Sequence, residues 1–493
     1  MKTMNIRHKL LLLLLSVGLI SCSDDFLDVN ENPNDPGNST PSLTLPVAQH
    51  NFGELTGTTM NYLGNYMIYN YTVPSNWSAN ASLIRYQVTS NFYGSIFENS
   101  YGVIFRDLTY LENYVDESGA VDYGAYNVIA KTIKGFQYQY LVDLYGDVPF
   151  TEANLRGENP TPAYDEAEFV YKSVIDSLDT AISLAGDLPE NAENPGSQDI
   201  IFGGNMGAWA RFANTIKLRM LVRMSGTGQD QYIQEELAQI LANGNGFITS
   251  DVTANPGYSN NADQQAPVYE YMGFQPSGTE TDRWDFTAAT DYAISFLENT
   301  NDPRIGRIYS ASRNADEFKG APQTTELPGS GFTSDDLSHP GPGIVKSADM
   351  DQPIMLLAEA LFLQAEAVQR GWMEGDAQAL YEAAIEASFD YLGAEGAEEY
   401  YSQNIENVGW EASSDKIEAI ITQKWVALNG ISGIESWIEL TRTGYPDGLP
   451  IPAESGGTRP VRLMYPVSEL ARNSDNVPSQ GAQDAFNNPP FWK

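Results

Sequence analysis

The chain has 493 residues and carries 27 Lys and Arg against 65 Asp and Glu, a formal net charge of −38. That balance repels nucleic acid and anionic head groups, excluding both as ligands, and it disfavours polyanionic glycans unless a local basic patch intervenes. One cysteine leaves no disulfide to form, and the length is enough for a large core or for two or three packed domains.

Lys2, Arg7 and Lys9 precede six consecutive leucines, Leu10 to Leu15, and the apolar run closes on Leu19-Ile20-Ser21-Cys22. Basic, apolar, small, break is the layout of an export signal, and the run is too short to span a bilayer. A cysteine directly after Leu-x-Ser resembles a bacterial lipobox. Residues 1–21 therefore read as a lipoprotein signal peptide, Cys22 as the lipidated N-terminus, and residues 22–41 as anchor and linker. One acyl chain holds weakly, so two or three are implied. Ser23-Asp24-Asp25 resembles the surface-export signal of Bacteroidetes lipoproteins and reads equally as a solvated tether. Asp28 to Gly37 spaces oxygen ligands somewhat like a calcium loop. It lacks the glycine and the bidentate Glu such a loop needs, so a turn-rich linker is the better reading.

From Leu43 the pattern is helical: Leu43, Val47, Phe52, Leu55, Met60, Leu63 and Met67 keep helical spacing to Tyr71. A polar loop, Val73 to Asn80, follows and carries Trp77. Further helices are expected over Phe92 to Tyr114 and Tyr126 to Leu144, the latter capped by Gly146 with Pro149 barring continuation. Asp165 with Glu168 reads as a capping box opening the next helix, whose buried stripe is Ala167, Val170, Val174, Leu178, Ala181 and Ala185. In the helix from Trp209 to Met224, Arg211, Lys217, Arg219 and Arg223 are expected to pair with carboxylates between packed helices. Gln231 to Ala242 completes that hairpin.

Residues 247–350 are rich in Gly, Pro, Asn, Ser and Thr, with one helix expected at Asp285 to Leu297. Long loops on a helical scaffold are where binding surfaces usually lie. Ile354 to Val368 is apolar nearly all round and reads as a buried helix paired with Ala377 to Leu392. Ile417 to Leu428 and Ile434 to Leu440 form the last pair, before an irregular, proline-rich end. The fold class is thus mostly α: a tetratricopeptide-like helical-hairpin scaffold with a loop-rich ligand-binding face, in one domain over residues 42–493.

The lipobox with Asn32-Pro-Asn34, Leu144-Tyr-Gly-Asp-Val-Pro-Phe150, Trp209-Ala-Arg-Phe-Ala-Asn-Thr-Ile-Lys-Leu-Arg219, Leu357-Ala-Glu-Ala360, Ile421-Thr-Gln-Lys-Trp425, Glu435-Ser-Trp437 and Arg442-Thr-Gly-Tyr-Pro446 together resemble the SusD/RagB family. Each motif alone is weak; their order across nearly the whole chain is specific. The resemblance implies an outer-membrane lipoprotein facing the exterior. It would capture a glycan and deliver it to a SusC-like TonB-dependent porin, without cofactor. Some relatives bind peptides instead, and these motifs do not separate the two.

Sugars present C–H faces, which aromatic rings cover, and hydroxyls, which Asn, Asp and Arg bind. The family's site, built from the early loop and the loop-rich middle, maps onto Trp77 with Asn76, and onto Trp284 with Asp282, Arg283 and Asp285. Tyr269 and Tyr271 flank Glu270 and would share one face of a strand. Arg85 and Tyr86 are weaker candidates. Trp209, Trp372, Trp425 and Trp437 sit in helical stripes and read as core. The acidity favours a neutral glycan such as a β-glucan, held by shallow stacking with modest affinity.

Catalysis finds little footing. No G-x-S-x-G, H-E-x-x-H or phosphate loop occurs, and His50 and His339 stand apart from any triad or zinc spacing. A glycoside hydrolase needs two carboxylates, which 65 acids could supply. A scaffold without a ligand would instead bury Trp77 and Trp284 or hold them apart.

Overall fold

The computed structural model describes residues 39–155, 158–324 and 331–493. The signal, Cys22 and the Asp28 to Gly37 linker lie outside them. Pro41 opens α1 (Pro41–Leu55), where its missing N–H leaves nothing unsatisfied. The helix passes through a π segment, Thr56–Met60, into α2 (Asn61–Met67). After β1 (Tyr71–Thr72) and α3 (Ala81–Ile84), the expected Phe92–Tyr114 helix is three pieces: α4 (Ser95–Asn99), a second π segment (Ser100–Phe105) and α5 (Arg106–Asn113). The wide turn begins at Ser100, whose hydroxyl bonds Ile96 O at 2.6 Å and accepts from Gln137 Nε2 at 2.7 Å.

Helix α6 (Gly124–Tyr145) stops at Gly146, whose φ of 82° suits a residue without Cβ. Helix α7 (Ala167–Gly186) buries the predicted stripe, with Ala185 half-buried, but Asp165 does not cap it. The Asp165 carboxylate accepts from the amides of Phe150 and Thr151, and Asp147 takes the N–H of Ala167 at 2.9 Å. Local spacing suggested the wrong acid because the strand-like approach of Val148 to Asp165 turns that side chain away.

Helices α8 (Met206–Arg223) and α9 (Asp230–Ala242) form the expected pair. Three of the four basic residues of α8 meet carboxylates as predicted. Lys217 lies 2.6 Å from both Asp179 and Glu236, Arg219 is 3.0 Å from Glu359, and Arg223 contacts Asp143, Glu435 and Glu439. Arg211 is half-buried and forms no ion pair among the described residues.

The loop-rich middle holds β2 (Val252–Ala254), α10 (Pro267–Met272), α11 (Asp282–Phe286), β3 (Ala288–Ala289), α12 (Asp291–Asn299) and α13 (Ile305–Ile308). The single helix expected at Asp285–Leu297 is therefore split, with Thr281 capping α11 and Thr290 capping α12 through their side-chain oxygens. Between them β3 pairs antiparallel with β1, Tyr71 opposite Ala289, which fastens the early loop to the middle of the chain. Ile354 belongs to β4 (Gln352–Met355), antiparallel to β2 with a bulge at Val252/Thr253, so α14 (Leu357–Gln369) starts later than its apolar run.

Helix α14 packs on α15 (Ala377–Leu392), and after α16 (Ala397–Tyr401) come α17 (Lys416–Leu428) and α18 (Gly433–Thr443). On α14 the buried positions include Glu359 and Glu366, while Leu357, Leu361 and Val368 are half-buried. Arginines reaching in from α8 and α18 pull that polar face inward: Arg442 bonds both oxygens of Glu366 at 2.7 Å. Helices α2 and α18 cross at backbone contact; a Cβ on Gly64 would sit 1.9 Å from Ile434 N. Two short helices, α19 (Val467–Arg472) and α20 (Asp484–Asn487), punctuate the C-terminal segment, and Trp492 returns to the core to bond Asp143 at 2.7 Å. Trp209, Trp425 and Trp437 are buried as expected, Trp372 half-buried. No helix among the described residues is long and apolar enough to cross a membrane.

Candidate functional site

The loop after β1 carries Asn76, exposed, and Trp77, half-buried. Across from it stand α11 and the segment around Ser334. The Trp77 indole N–H donates to Asp285 Oδ2 at 2.7 Å, and its ring meets Phe286 edge-on at 5.5 Å between centroids. Asn76 Oδ1 accepts the amide of Ser334 at 2.8 Å. Asp285 is the hub. Its Oδ1 also accepts from the Ser334 hydroxyl and from Arg313 Nη1 at 2.9 Å. Burial alone would raise its carboxyl, but the bonds from Ser334, Trp77 and Arg313 and the arginine's charge hold it below its ordinary value. Arg313 in turn reaches Asp335 at 2.7 Å and Glu280 at 3.6 Å, so its guanidinium ties three loop segments to one point.

Trp284 is not a second platform. It is 6% exposed, its indole N–H donates to Pro340 O at 3.0 Å, and its ring stacks on His339 at 4.3 Å. The helical turn that points Asp285 at Trp77 sends its neighbour inward. Burial pulls the His339 imidazole below its ordinary value, against the carbonyls of Ser334 and Thr287 that favour its protonated form. Trp284 and His339 thus floor the loops that carry Asp285 and Arg313.

Tyr269 and Tyr271 do not share a strand face. Pro267 starts a helix there, and the two half-buried rings diverge. Tyr269 tilts against Phe274, while Tyr271 meets Tyr62 edge-on at 5.6 Å and lies 3.7 Å under the Arg283 guanidinium. Asp282 is exposed beside this pair. Asn80 donates to the hydroxyls of Tyr62 and Tyr66 at 2.7 and 3.0 Å, joining the tyrosines to the Trp77 loop. Tyr86 is 2% exposed and bonds Arg459 at 2.6 Å, which removes it from any ligand-facing surface; Arg85 is half-buried next to it. Burial pushes the Tyr86 hydroxyl up to about 12, against the charge of Arg459, so the phenol stays neutral while its oxygen accepts from that guanidinium.

The structure thus unites Asn76, Trp77 and Asp285, places Arg283 with Tyr271, and separates out Trp284, Tyr86 and Tyr269. Phe286, Arg313 and Ser334 were missed. Phe286 continues the run Asp282-Arg-Trp-Asp-Phe286 and was legible there; Arg313 and Ser334 join only through loop–loop contact, which leaves no spacing to read. Among the described residues no cluster of three or more His, Cys, Asp or Glu is arranged to hold a metal ion.

A helical scaffold presenting an aromatic ring amid polar loop side chains is the class of molecule these observations define. Residues 33–466 match the model of a SusD-like family described as starch-binding and associating with the outer membrane. The chain belongs to that family. Solved structures similar to it include a chitin-binding SusD homologue from Flavobacterium johnsoniae, 23% identical with a TM-score of 0.74, covering 91% of this chain and 98% of that one. A SusD homologue from Bacteroides fragilis is 24% identical with a TM-score of 0.71, covering 92% and 99%. A SusD-like protein from Bacteroides thetaiotaomicron is 23% identical with a TM-score of 0.70, covering 92% and 98%. No protein of curated function matches the sequence.

Proposed function

We propose that the protein binds a neutral glycan without transforming it, at the loops around Trp77, and passes it to a SusC-like TonB-dependent porin. Cys22 would carry the lipid that holds it on the outer face of the outer membrane. The observation that carries this reading is the Trp77 ring, half-buried yet pinned at its N–H by Asp285 and at its edge by Phe286, with exposed Asn76 beside it. A ring fixed before binding loses little freedom on stacking against a sugar face, which is how a small contact area can still bind. The family's description as starch-binding and the chitin-binding relative support a glycan over a peptide. The net charge of −38 supports a neutral one at this surface, with β-glucan as the first polymer to try.

The test is affinity electrophoresis of the chain from Ser23 through gels containing laminarin, mixed-linkage glucan, starch, mannan or glycol chitin. Retardation by one polymer, lost in Trp77→Ala, supports function and site together. Retardation that survives Trp77→Ala moves the site elsewhere. No retardation by any polymer overturns the glycan reading in favour of a peptide ligand, and release of reducing ends from oligosaccharide overturns the binder without catalysis.

A further inference from the structure

Between α5, α6, α7 and the loop at 150–155 lies a cavity of about 290 Å³ whose lining includes none of the Trp77 loop residues. Its walls are Tyr138 and Phe150, whose rings meet edge-on at 5.0 Å, and its polar groups include Lys131, Lys134 and Ser177. Lys131 Nζ lies 3.2 Å from Glu112 Oε1, and Lys134 bonds the other oxygen of the same carboxylate. Two ammonium groups therefore share one acid. Every other ion-paired cluster among the described residues has at least as many carboxylates as cations, from Lys217 between Asp179 and Glu236 to Arg313 among Glu280, Asp285 and Asp335. In a chain this acidic, that reversal is a local basic patch inside a pocket.

The patch is also partly desolvated. The side chains of Lys131, Lys134 and Glu112 are 24%, 16% and 15% exposed. Burial pulls the Lys134 ammonium below its ordinary value, against the pull of Glu112 upward. Asp165, the other acid acting on Tyr138, is turned to the amides of Phe150 and Thr151. Thr109 Oγ1, on a residue lining the cavity, is buried without a hydrogen-bond partner. A carboxylate entering here would meet ammonium N–H groups that Glu112 leaves free, and a ring attached to it would lie against Tyr138 and Phe150.

We propose that this cavity is a second ligand site, for one carboxylate-bearing sugar ring of the uronic acid class. It does not rest on the Trp77 platform, and the volume suits one ring rather than a chain. Saturation-transfer NMR and calorimetry on the chain from Ser23, with glucuronate, glucose and acetate as probes, test it. Glucuronate should bind saturably, glucose and acetate about tenfold or more weakly, because each lacks half of the recognised chemistry. Lys131→Gln, on a partly exposed side chain, should weaken glucuronate by about tenfold. Ser177→Trp, which fills the cavity without touching the ion pairs, should abolish it, and Trp77→Ala should leave it unchanged. Equal binding of glucose or acetate, absence of glucuronate binding, or binding that survives both cavity variants overturns the proposal.

Discussion

Asp285→Asn is the sharpest test of the Trp77 site. The substitution keeps the shape of the side chain but removes its charge and one of its two acceptor oxygens. Trp77 then loses a 2.7 Å bond to a carboxylate, and Arg313 loses its 2.9 Å partner there while keeping Asp335. A hydrogen bond to a charged group contributes roughly 1.5–3 kcal/mol, and the edge contact with Phe286 that remains contributes roughly 0.5–1.5 kcal/mol. The larger of the ring's two restraints disappears, so the ratio of fixed to free ring falls by roughly 10- to 100-fold. Affinity for the retarding polymer should fall about tenfold, since only the fixed fraction stacks. Titration calorimetry with the corresponding oligosaccharide measures it, beside Trp77→Phe, which keeps a ring but cannot donate. Because both changes delete the same bond, the double variant should bind no more weakly than the weaker single variant. Additive losses, or full affinity in Asp285→Asn while Trp77→Ala is inactive, would refute the argument that Asp285 sets the ring.

Three further outcomes concern the scaffold. Trp284→Ala should lower stability by about 3–5 kcal/mol in urea titration, as a buried indole stacked on His339 is lost; an unchanged midpoint would mean that the ring is not part of the core. Glu366 is buried, which by itself would raise its carboxyl, but Arg442 and Arg370 hold it at about 2. A lowered folded value means that the ion pair stabilises above the ordinary Glu range and is lost as pH falls through about 2. Glu366→Gln should therefore cost about 3 kcal/mol at pH 7, with the difference from the parent shrinking below about pH 4; a constant difference down to pH 2 would contradict it. Gly64→Ala should be among the most damaging single-methyl changes, because the new Cβ meets backbone at 1.9 Å and neither helix can yield alone; a thermal melt within a degree of the parent would show that the crossing can open.

The long scaffold helices and most of their partners were legible in the sequence, whereas the expected helices at Phe92–Tyr114 and Asp285–Leu297 are broken in the fold. Apolar spacing predicted α6, α8, α15 and α17 to within two or three residues, and the concentration of basic residues on one helix of an otherwise strongly acidic chain predicted that Arg219 and Arg223 would pair with carboxylates between helices. The sequence also singled out Trp77, since a large ring between Asn76 and Ser78 has no local stripe to join. Periodicity carries such information because a helix repeats the same environment every turn. The loops have no repeat. Whether Trp284 faced ligand or core, whether Asp165 or Asp147 capped α7, and which groups met Asp285 depended on segments up to 208 residues apart. The β1–β3 pairing and the Arg313 contacts bring those segments together. Those decisions belong to the tertiary structure, because a polar loop side chain takes whichever partner the fold delivers within hydrogen-bonding distance.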